Sequence, residues 1–408
     1  MEGFFTRKEV ESISRPDGKL YTCVSCGLYK NVKSPKMKPY GNFKKKIMII
    51  GEAPGEVEDT RGKPWQGKTG LLLQRTCQSL GIDIFEDCIN INACYCRPSD
   101  ENDKNRTPTN QEIDSCRKTT LQHIQHYKPK LILVLGTSAL YSLVGYRWKR
   151  DLSGISKWRG FTIPDQDFKT WIVPTFHPSF VERDETEVAM TVWTQDLRKA
   201  FSMLEVPVPV LKQPTIKIIT DLSVLDSITE GFVAIDYETT GIKPHAPGHK
   251  IVSTAVAVSE DLVYTFLMPQ SRSELQPFIR LLAREEVGKV AHNMKFEEAW
   301  SRVRLRQPVK NWLWDTMLAA HVIDNRTGIT SLKFQTFVLF GVADYESEVQ
   351  PYLTSKEEGA NARNQILEIL KTQAGVKTLL TYNAWDAIHE YRLAKQQMEL
   401  FYESTLPF

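Results

Sequence analysis

Two acids separated by a single residue, Asp236 and Glu238, follow the apolar run Phe232-Val-Ala-Ile235. On a strand, alternation puts both carboxylates on one face. They repel there unless cations neutralise them, so the pair suits divalent metal binding. A D-x-E alone reads equally as a strand end with solvated acids. Here it is joined by Asn293-Met-Lys295-Phe296-Glu297, by Trp314-Asp315-Thr316, and by Tyr382 and Asp386, which are four apart and share one face of a helix. The first half of the chain carries a different set. Cys23 and Cys26 form a C-x-x-C, which lets two thiolates reach one metal centre but leaves zinc, redox and chance readings open. Cys94, Cys96 and Cys116 follow, and all seven cysteines precede residue 120. That odd count, gathered in one half, favours a metal or cluster site over a disulfide framework. Gly51-Glu52-Ala-Pro-Gly55 follows an apolar run, and the string continues through Glu58-Asp59, Gly62, Pro64-Trp65, Gly67 and Gly70. Glycines at such a turn let backbone amides approach a ligand closely. His177-Pro-Ser179 closes another apolar run.

The elements that must position these groups read as α/β in both halves. Lys46–Ile50, Ile89–Asn92, Leu131–Leu135 and Trp171–Phe176 are strand-like, with a helix over 71–80, and predict a mostly parallel sheet with ligands at its carboxyl ends. In the second half Phe232–Ile235 opens a strand, 251–258 and 262–267 make a hairpin, and helices dominate from about residue 273. Three prolines within 205–214 mark a linker, giving domains over 1–204 and 215–408. The 408 residues and 41% apolar content suit two ordinary globular cores. No apolar run reaches the ~18 residues of a membrane span. The opening MEGFFTRKEVES lacks an apolar signal core, so a cytoplasmic protein is expected. Net charge is only +3. The local run Lys36, Lys38, Lys44, Lys45 and Lys46 either meets phosphates or is a solvated surface.

The first half resembles the family 4 uracil-DNA glycosylases over residues 20–204. Their pattern is GEAPG, ED, then G-x-P-F-x-G-x-x-G-x-L-L, and Trp65 stands where phenylalanine is usual. Asn92, Cys96-Arg97-Pro98, Asn105-Arg106-Thr-Pro108, Glu112, Cys116 and His177-Pro-Ser179 continue the match. The resemblance implies a parallel-sheet α/β/α domain in which Cys23, Cys26, Cys96 and Cys116 hold a structural [4Fe-4S] cluster. Cys94 is then a spare, and Cys77 and Cys88 are core thiols. It also implies a pocket for a base flipped out of the stack. Trp65 stacks on the base, Gly51 lies beside it, and the Asn92 carboxamide reads the uracil amide edge. His177 stabilises the developing uracilate, while Glu52 helps place water. Phe180 and Val181 read as a wedge into the vacated stack or as plain packing, and Arg183 as a phosphate contact.

The second half resembles the 3′→5′ exonuclease domain of DNA polymerase I-type (family A) polymerases, over residues 215–408. That family uses D-x-E, N-x-x-[FY]-D and Y-x-x-x-D, and here Glu297 stands where the second motif has aspartate. The resemblance implies a ribonuclease H-like mixed sheet and hydrolysis of the terminal phosphodiester with two Mg²⁺ or Mn²⁺ ions. Asp236, Glu238 and Asp386 take the inner ion, and Asp236 with Glu297 place the second. Tyr382 orients the attacking water. Asn293, Lys295 and Asp315 are supporting residues, and His292 is a buried hydrogen-bonding group. About twenty residues follow Asp386 and no polymerase motif is present, so a separate family A polymerase chain is expected as partner. The source expected is a bacteriophage, acting in its bacterial host. DNA with single-stranded 3′ ends or uracil is the expected substrate. Two rival readings stay open: a non-catalytic glycosylase-like domain that scans template beside a working nuclease, and a polymerase accessory subunit without either activity.

Overall fold

The computed structural model describes residues 23–405 except 149, 185, 344, 356, 357 and 360. The opening segment read above for export lies outside the described residues. The chain divides into two compact units, Met1–Val210 with Phe337–Ala343, and Leu211–Thr336 with Asp344–Phe408. Residues 207–214 carry no regular structure. Among the described residues no helix is long and apolar enough to cross a membrane.

The first unit is built on β1 (Ile47–Gly51), β2 (Cys88–Asn92), β3 (Leu131–Leu135), β4 (Ile163–Asp165) and β5 (Thr170–Thr175), in the order β2-β1-β3-β5-β4. β1 pairs in parallel with β2 and β3, and β3 with β5, while β4 is an antiparallel edge. Every residue of β1, β2, β3 and β5 is buried. Strands covered on both faces need continuous apolar runs, which is why IMIIG and LILVL are legible. Ile49, Leu133 and Val173 pack with Leu73 and Cys77 of the Lys68–Ser79 helix and with Trp193 and Leu197 of the Val188–Ser202 helix. Cys77 and Cys88 sit in this core. The three-residue β4 is too short to leave a period in the sequence, and its strand character comes from pairing with β5.

The second unit is built on β6 (Thr215–Ile218), β7 (Phe232–Thr239), β8 (Ile251–Ser259), β9 (Leu262–Leu267), β10 (Gly288–Ala291) and β11 (Trp312–Asp315), in the order β11-β10-β7-β8-β9-β6. β8 runs antiparallel to both β7 and β9, and the remaining pairings are parallel. This is the mixed sheet expected of the second half, so both units are α/β. β10 and β11 interrupt the stretch expected to be chiefly helical after residue 273. Each has four residues and gains its identity from a parallel neighbour.

Two devices set the positions of functional side chains. Along β7, Val233, Ile235 and Tyr237 face a core with Phe278, Leu281 and Leu282. Alternation sends Ala234, Asp236 and Glu238 to the other face. There Ala234, Ala255 and Ala257 meet Ala384, Ala387 and Ile388 of the Gln373–Thr405 helix. Small side chains on both partners bring the helix close to the sheet. In the first unit the Asn110–Tyr127 helix, which carries Cys116, starts at a capping box. The Glu112 amide donates to Thr109 Oγ1 at 3.3 Å, and the Thr109 amide donates to Glu112 Oε2 at 2.8 Å. Arg106 forks onto the same carboxylate at 2.9 and 2.7 Å. The Arg106 and Glu112 of the glycosylase-like motif are thus helix-start devices. Thr109→Ala should cost the first unit about 1 kcal/mol in denaturant unfolding, and an unchanged midpoint would remove the cap from the account.

Candidate active sites

In the first unit the candidate residues gather at the carboxyl ends of the parallel strands, where open α/β sheets take ligands. Gly51 ends β1 and Asn92 ends β2, and the two are register partners. A Cβ on Gly51 would stand 2.6 Å from Asn92 Oδ1 and 2.9 Å from Trp65 Cζ2, closer than carbon tolerates. Only glycine lets both side chains reach this point. Gly136, just beyond β3, has φ +84° and lies under His177, whose Cβ is 2.9 Å from where a Gly136 Cβ would stand. His177 follows β5, and its ring centroid is 5.8 Å from that of Trp65. Glu52 accepts a hydrogen bond from Ser138 Oγ at 2.8 Å. Gly51, Glu52, Trp65, Asn92 and His177 therefore share one crevice. Beside it, Val181 belongs to the core while Phe180 is exposed, so of the proposed wedge only Phe180 is free to meet a partner.

Five thiols line a cavity of about 260 Å³ in the same unit: Cys23, Cys26, Cys94, Cys96 and Cys116. They come from the short Cys23–Cys26 helix, the turn after β2, and the Asn110–Tyr127 helix. The Lys36 amide donates to Cys96 Sγ at 3.3 Å. Cys94, set aside as a spare on sequence, stands in the same wall and hydrogen-bonds Cys116. Convergent thiols lining one cavity are a donor set for a soft metal or an iron–sulfur cluster.

In the second unit, Asp236 and Glu238 on β7 and Asp386 on the Gln373–Thr405 helix each offer an oxygen within 4.8 Å of the others. Glu297, on the Met294–Trp300 helix, is buried outside this tight trio, and its Oε2 has no hydrogen-bond partner. Tyr382 lies one helical turn before Asp386 and is buried. Asp315 accepts from the amides of Asn293, Met294, Met317 and Leu318 at 3.0–3.1 Å. It thereby fixes the start of the helix that carries Glu297. Asn293 takes φ +74°, His292 bonds Thr316 Oγ1 at 2.9 Å, and Lys295 is exposed.

Comparison with known proteins assigns each unit. Residues 38–199 match the uracil DNA glycosylase superfamily model, and residues 216–399 match a 3′-5′ exonuclease model. The type-4 uracil-DNA glycosylase of Thermotoga maritima is 32% identical over 201 residues, covering 49% of this chain and 98% of the relative. That of Saccharolobus solfataricus is 36% identical over 162 residues, covering 38% and 71%. The first half of the chain belongs to the type-4 uracil-DNA glycosylases. It is fused to a 3′-5′ exonuclease domain, and the chain as a whole is a homologue of a phage DNA polymerase. That polymerase, from Bacillus phage SP01, is 27% identical over 332 residues, which are 72% of this chain and 34% of the relative. Brucella melitensis NrnC, a solved structure, is 20% identical over 47% of this chain and 83% of its own, with a TM-score of 0.36.

Electrostatics differ between the two domains. In the glycosylase domain, burial, with Arg183 adding to it, pushes His177 down to about 4, so its ring is neutral at physiological pH. Its Nδ1 accepts from the Ser179 amide at 3.2 Å, which leaves the proton on Nε2 as a donor. Burial raises Glu52. The same cause pushes Cys96 up to about 11, while the Cys94 thiol bond lowers Cys116. In the exonuclease domain, burial and the Asp386 charge push Asp236 up to about 8. Burial and neighbouring carboxylates raise Glu238 and Glu297 well above the usual range. An orphaned carboxylate oxygen and acids that resist ionisation together fit a divalent cation site, since a cation removes the cost of gathering the charges.

Sequence reasoning missed four residues of the exonuclease site. Lys333 Nζ and the Tyr345 hydroxyl both donate to Asp386 Oδ1. Asn383 Nδ2 donates to Asp236, and Asn383 Oδ1 accepts from Ser253. Glu390 is buried one turn beyond Asp386 and is raised by burial and by Asp236, Glu297 and Asp386. Asn383 and Glu390 were findable from helical spacing off Asp386, whereas Lys333 sits on the short, largely apolar Leu332–Phe340 helix with no clear amphipathic period, and Tyr345 lies in an irregular stretch.

A pH dependence follows. The folded acids hold protons that the unfolded chain releases near pH ~4. This stabilising term is therefore full below that pH and is lost as pH rises through about 8. In EDTA the exonuclease domain should lose melting temperature as pH is raised from ~6 to ~9, and saturating Mg²⁺ should flatten the slope. A slope unaffected by Mg²⁺ would count against metal binding at these acids.

Proposed function

We propose that this chain excises uracil from DNA with its first domain and removes nucleotides from DNA 3′ ends with its second. The observation that carries the nuclease half is the meeting of Asp236, Glu238 and Asp386 oxygens within 4.8 Å, from a strand and a distant helix. Mg²⁺ or Mn²⁺ supplies Lewis-acid polarisation of the phosphodiester and lowers the pKa of water. Asp236, Glu238 and Asp386 hold the inner ion, and Glu297 with Asp236 holds the second. Tyr382 orients the attacking water, while Asn293 and Lys295 contact the strand. Asp315 supports them by capping the Glu297 helix.

In the glycosylase domain the flipped base enters the crevice at Gly51 and stacks on Trp65. The Asn92 carboxamide offers donor and acceptor to the uracil amide edge, an order that cytosine reverses. Neutral His177 donates from Nε2 to the uracil oxygen that gains charge as the glycosidic bond breaks. Glu52, held by Ser138, lies beside the base and helps place water. Cys23, Cys26, Cys96 and Cys116 bind a [4Fe-4S] cluster that ties three segments together. The homology to a phage polymerase supports a proofreading role beside a family A polymerase, in the cytoplasm of a bacterial host.

Two assays on the purified full chain test these halves. Asp236→Ala should abolish release of mononucleotides from a 3′-labelled strand, and EDTA should do the same to the wild type; cleavage that survives the substitution refutes the metal site. His177→Ala should slow release of free uracil from a uracil-containing oligonucleotide by ~10²–10³. No release by wild type would instead make the domain a DNA reader. Anaerobic protein should carry about four irons per chain, and fewer in Cys96→Ser than in Cys94→Ser.

A further inference from the structure

Lys333 has no part in the chemistry described so far, yet its ammonium group sits inside the carboxylate site. Its side chain is 14% exposed and that of Asp386 8%, and the two form an ion pair. The same ammonium lies over two aromatic faces, 3.9 Å from the Tyr345 ring centroid and 4.5 Å from that of Tyr382. Such a cation is held by the carboxylate and by both ring quadrupoles. The Tyr345 hydroxyl donates to the same Oδ1.

A carboxylate oxygen has two lone pairs. With Lys333 and Tyr345 both donating, Oδ1 of Asp386 has none left. Yet Asp386 is one of the three acids that converge within 4.8 Å. A divalent ion that binds through that oxygen must displace a donor, and one that binds through Oδ2 still meets the Lys333 charge on the same carboxylate. Lys333 is the one that loses most by staying, because its own positive charge then faces the ion.

We infer that Lys333 is a positioning residue that serves as counter-cation to the metal-free site. It holds Asp386 against repulsion from Asp236 and Glu238, and its charge competes with the inner divalent ion for the Asp386 carboxylate. This rests on the two-metal reading above. The competition keeps the acids assembled before the ion arrives and weakens the ion's apparent affinity. Tyr345 keeps its hydroxyl on Asp386 and preserves the orientation of the carboxylate as the ammonium leaves.

The test uses Mn²⁺ as probe with the full chain, its uptake followed by electron paramagnetic resonance, in wild type, Lys333→Met, Lys333→Arg and Asp236→Ala. Lys333→Met should bind Mn²⁺ about tenfold more tightly than wild type, and Lys333→Arg should stay near wild type. In EDTA Lys333→Met should melt below wild type, and saturating Mn²⁺ should close the gap. Lys333→Gln replaces Lys333→Met if the latter does not fold. Equal or weaker Mn²⁺ binding, or a melting gap that Mn²⁺ leaves unchanged, overturns the inference and assigns Lys333 to packing. If wild type takes up no more Mn²⁺ than Asp236→Ala, the two-metal reading fails and this inference falls with it.

Discussion

Like charges forced together in a place poor in water are the constraint on which the second domain depends. Asp236 and Glu238 share a face of β7 because a strand alternates, and Asp386 is brought to them because alanines line the helix–sheet contact. Nothing in that arrangement relieves the repulsion. Burial raises Asp236 and Glu238, and an amide from Asn383, a hydroxyl from Tyr345 and an ammonium from Lys333 each take up part of the charge. The polar groups around the acids are therefore as much a part of the site as the acids themselves. Removing one partner from such a set costs more than the average ion pair is worth, because it leaves a buried charge uncompensated.

On the proposed reading the first domain meets a different problem, that of bringing a neutral heterocycle into an interior. Its crevice is shaped by what is missing at Gly51, where any side chain would strike Asn92 and Trp65. The thiol cavity connects to that crevice through backbone pairing. The Ala93 amide donates to the Gly51 carbonyl at 2.9 Å, and the Cys94 amide to that of Glu52 at 3.0 Å. The turn that carries Cys94 and Cys96 is thus hydrogen-bonded to the turn that carries Gly51 and Glu52. A group holding the thiols would also hold the turn of Gly51 and Glu52, a structural role that needs no redox step.

Legibility in the sequence followed burial and length. β1, β3, β7 and the β8–β9 hairpin were readable because buried strands carry unbroken or alternating apolar runs. β4, β6, β10 and β11 have three or four residues each, and pairing partners rather than local pattern make them strands. Among site residues, those in compact motifs were visible: Gly51 and Glu52, the cysteine pairs, Asp236 and Glu238, Tyr382 and Asp386. Lys333 and Tyr345 were not, because they reach the site from a segment whose placement depends on tertiary packing. Cys94 lines the thiol cavity beside the four assigned cysteines, and only the folded turn shows which way its thiol faces.

Motif residues also divide by task in a way that spacing does not reveal. Arg106 and Glu112 accompany the cysteines in the glycosylase pattern, yet they form the capping network that starts the Cys116 helix. Asp315 accompanies the nuclease acids, yet all four hydrogen bonds it accepts come from backbone amides at two helix starts. The same economy governs the lysine run over 36–46, where Lys44 and Lys45 are paired with Glu86 and Asp87 at the surface. A charged residue in a motif is therefore weak evidence for chemistry until its partners are known. Asp236 and Glu238 differ from Asp315 in this respect. Asp315 is satisfied by fixed amides and needs no cation, whereas the β7 acids face one another, and only mobile positive charge can complete them.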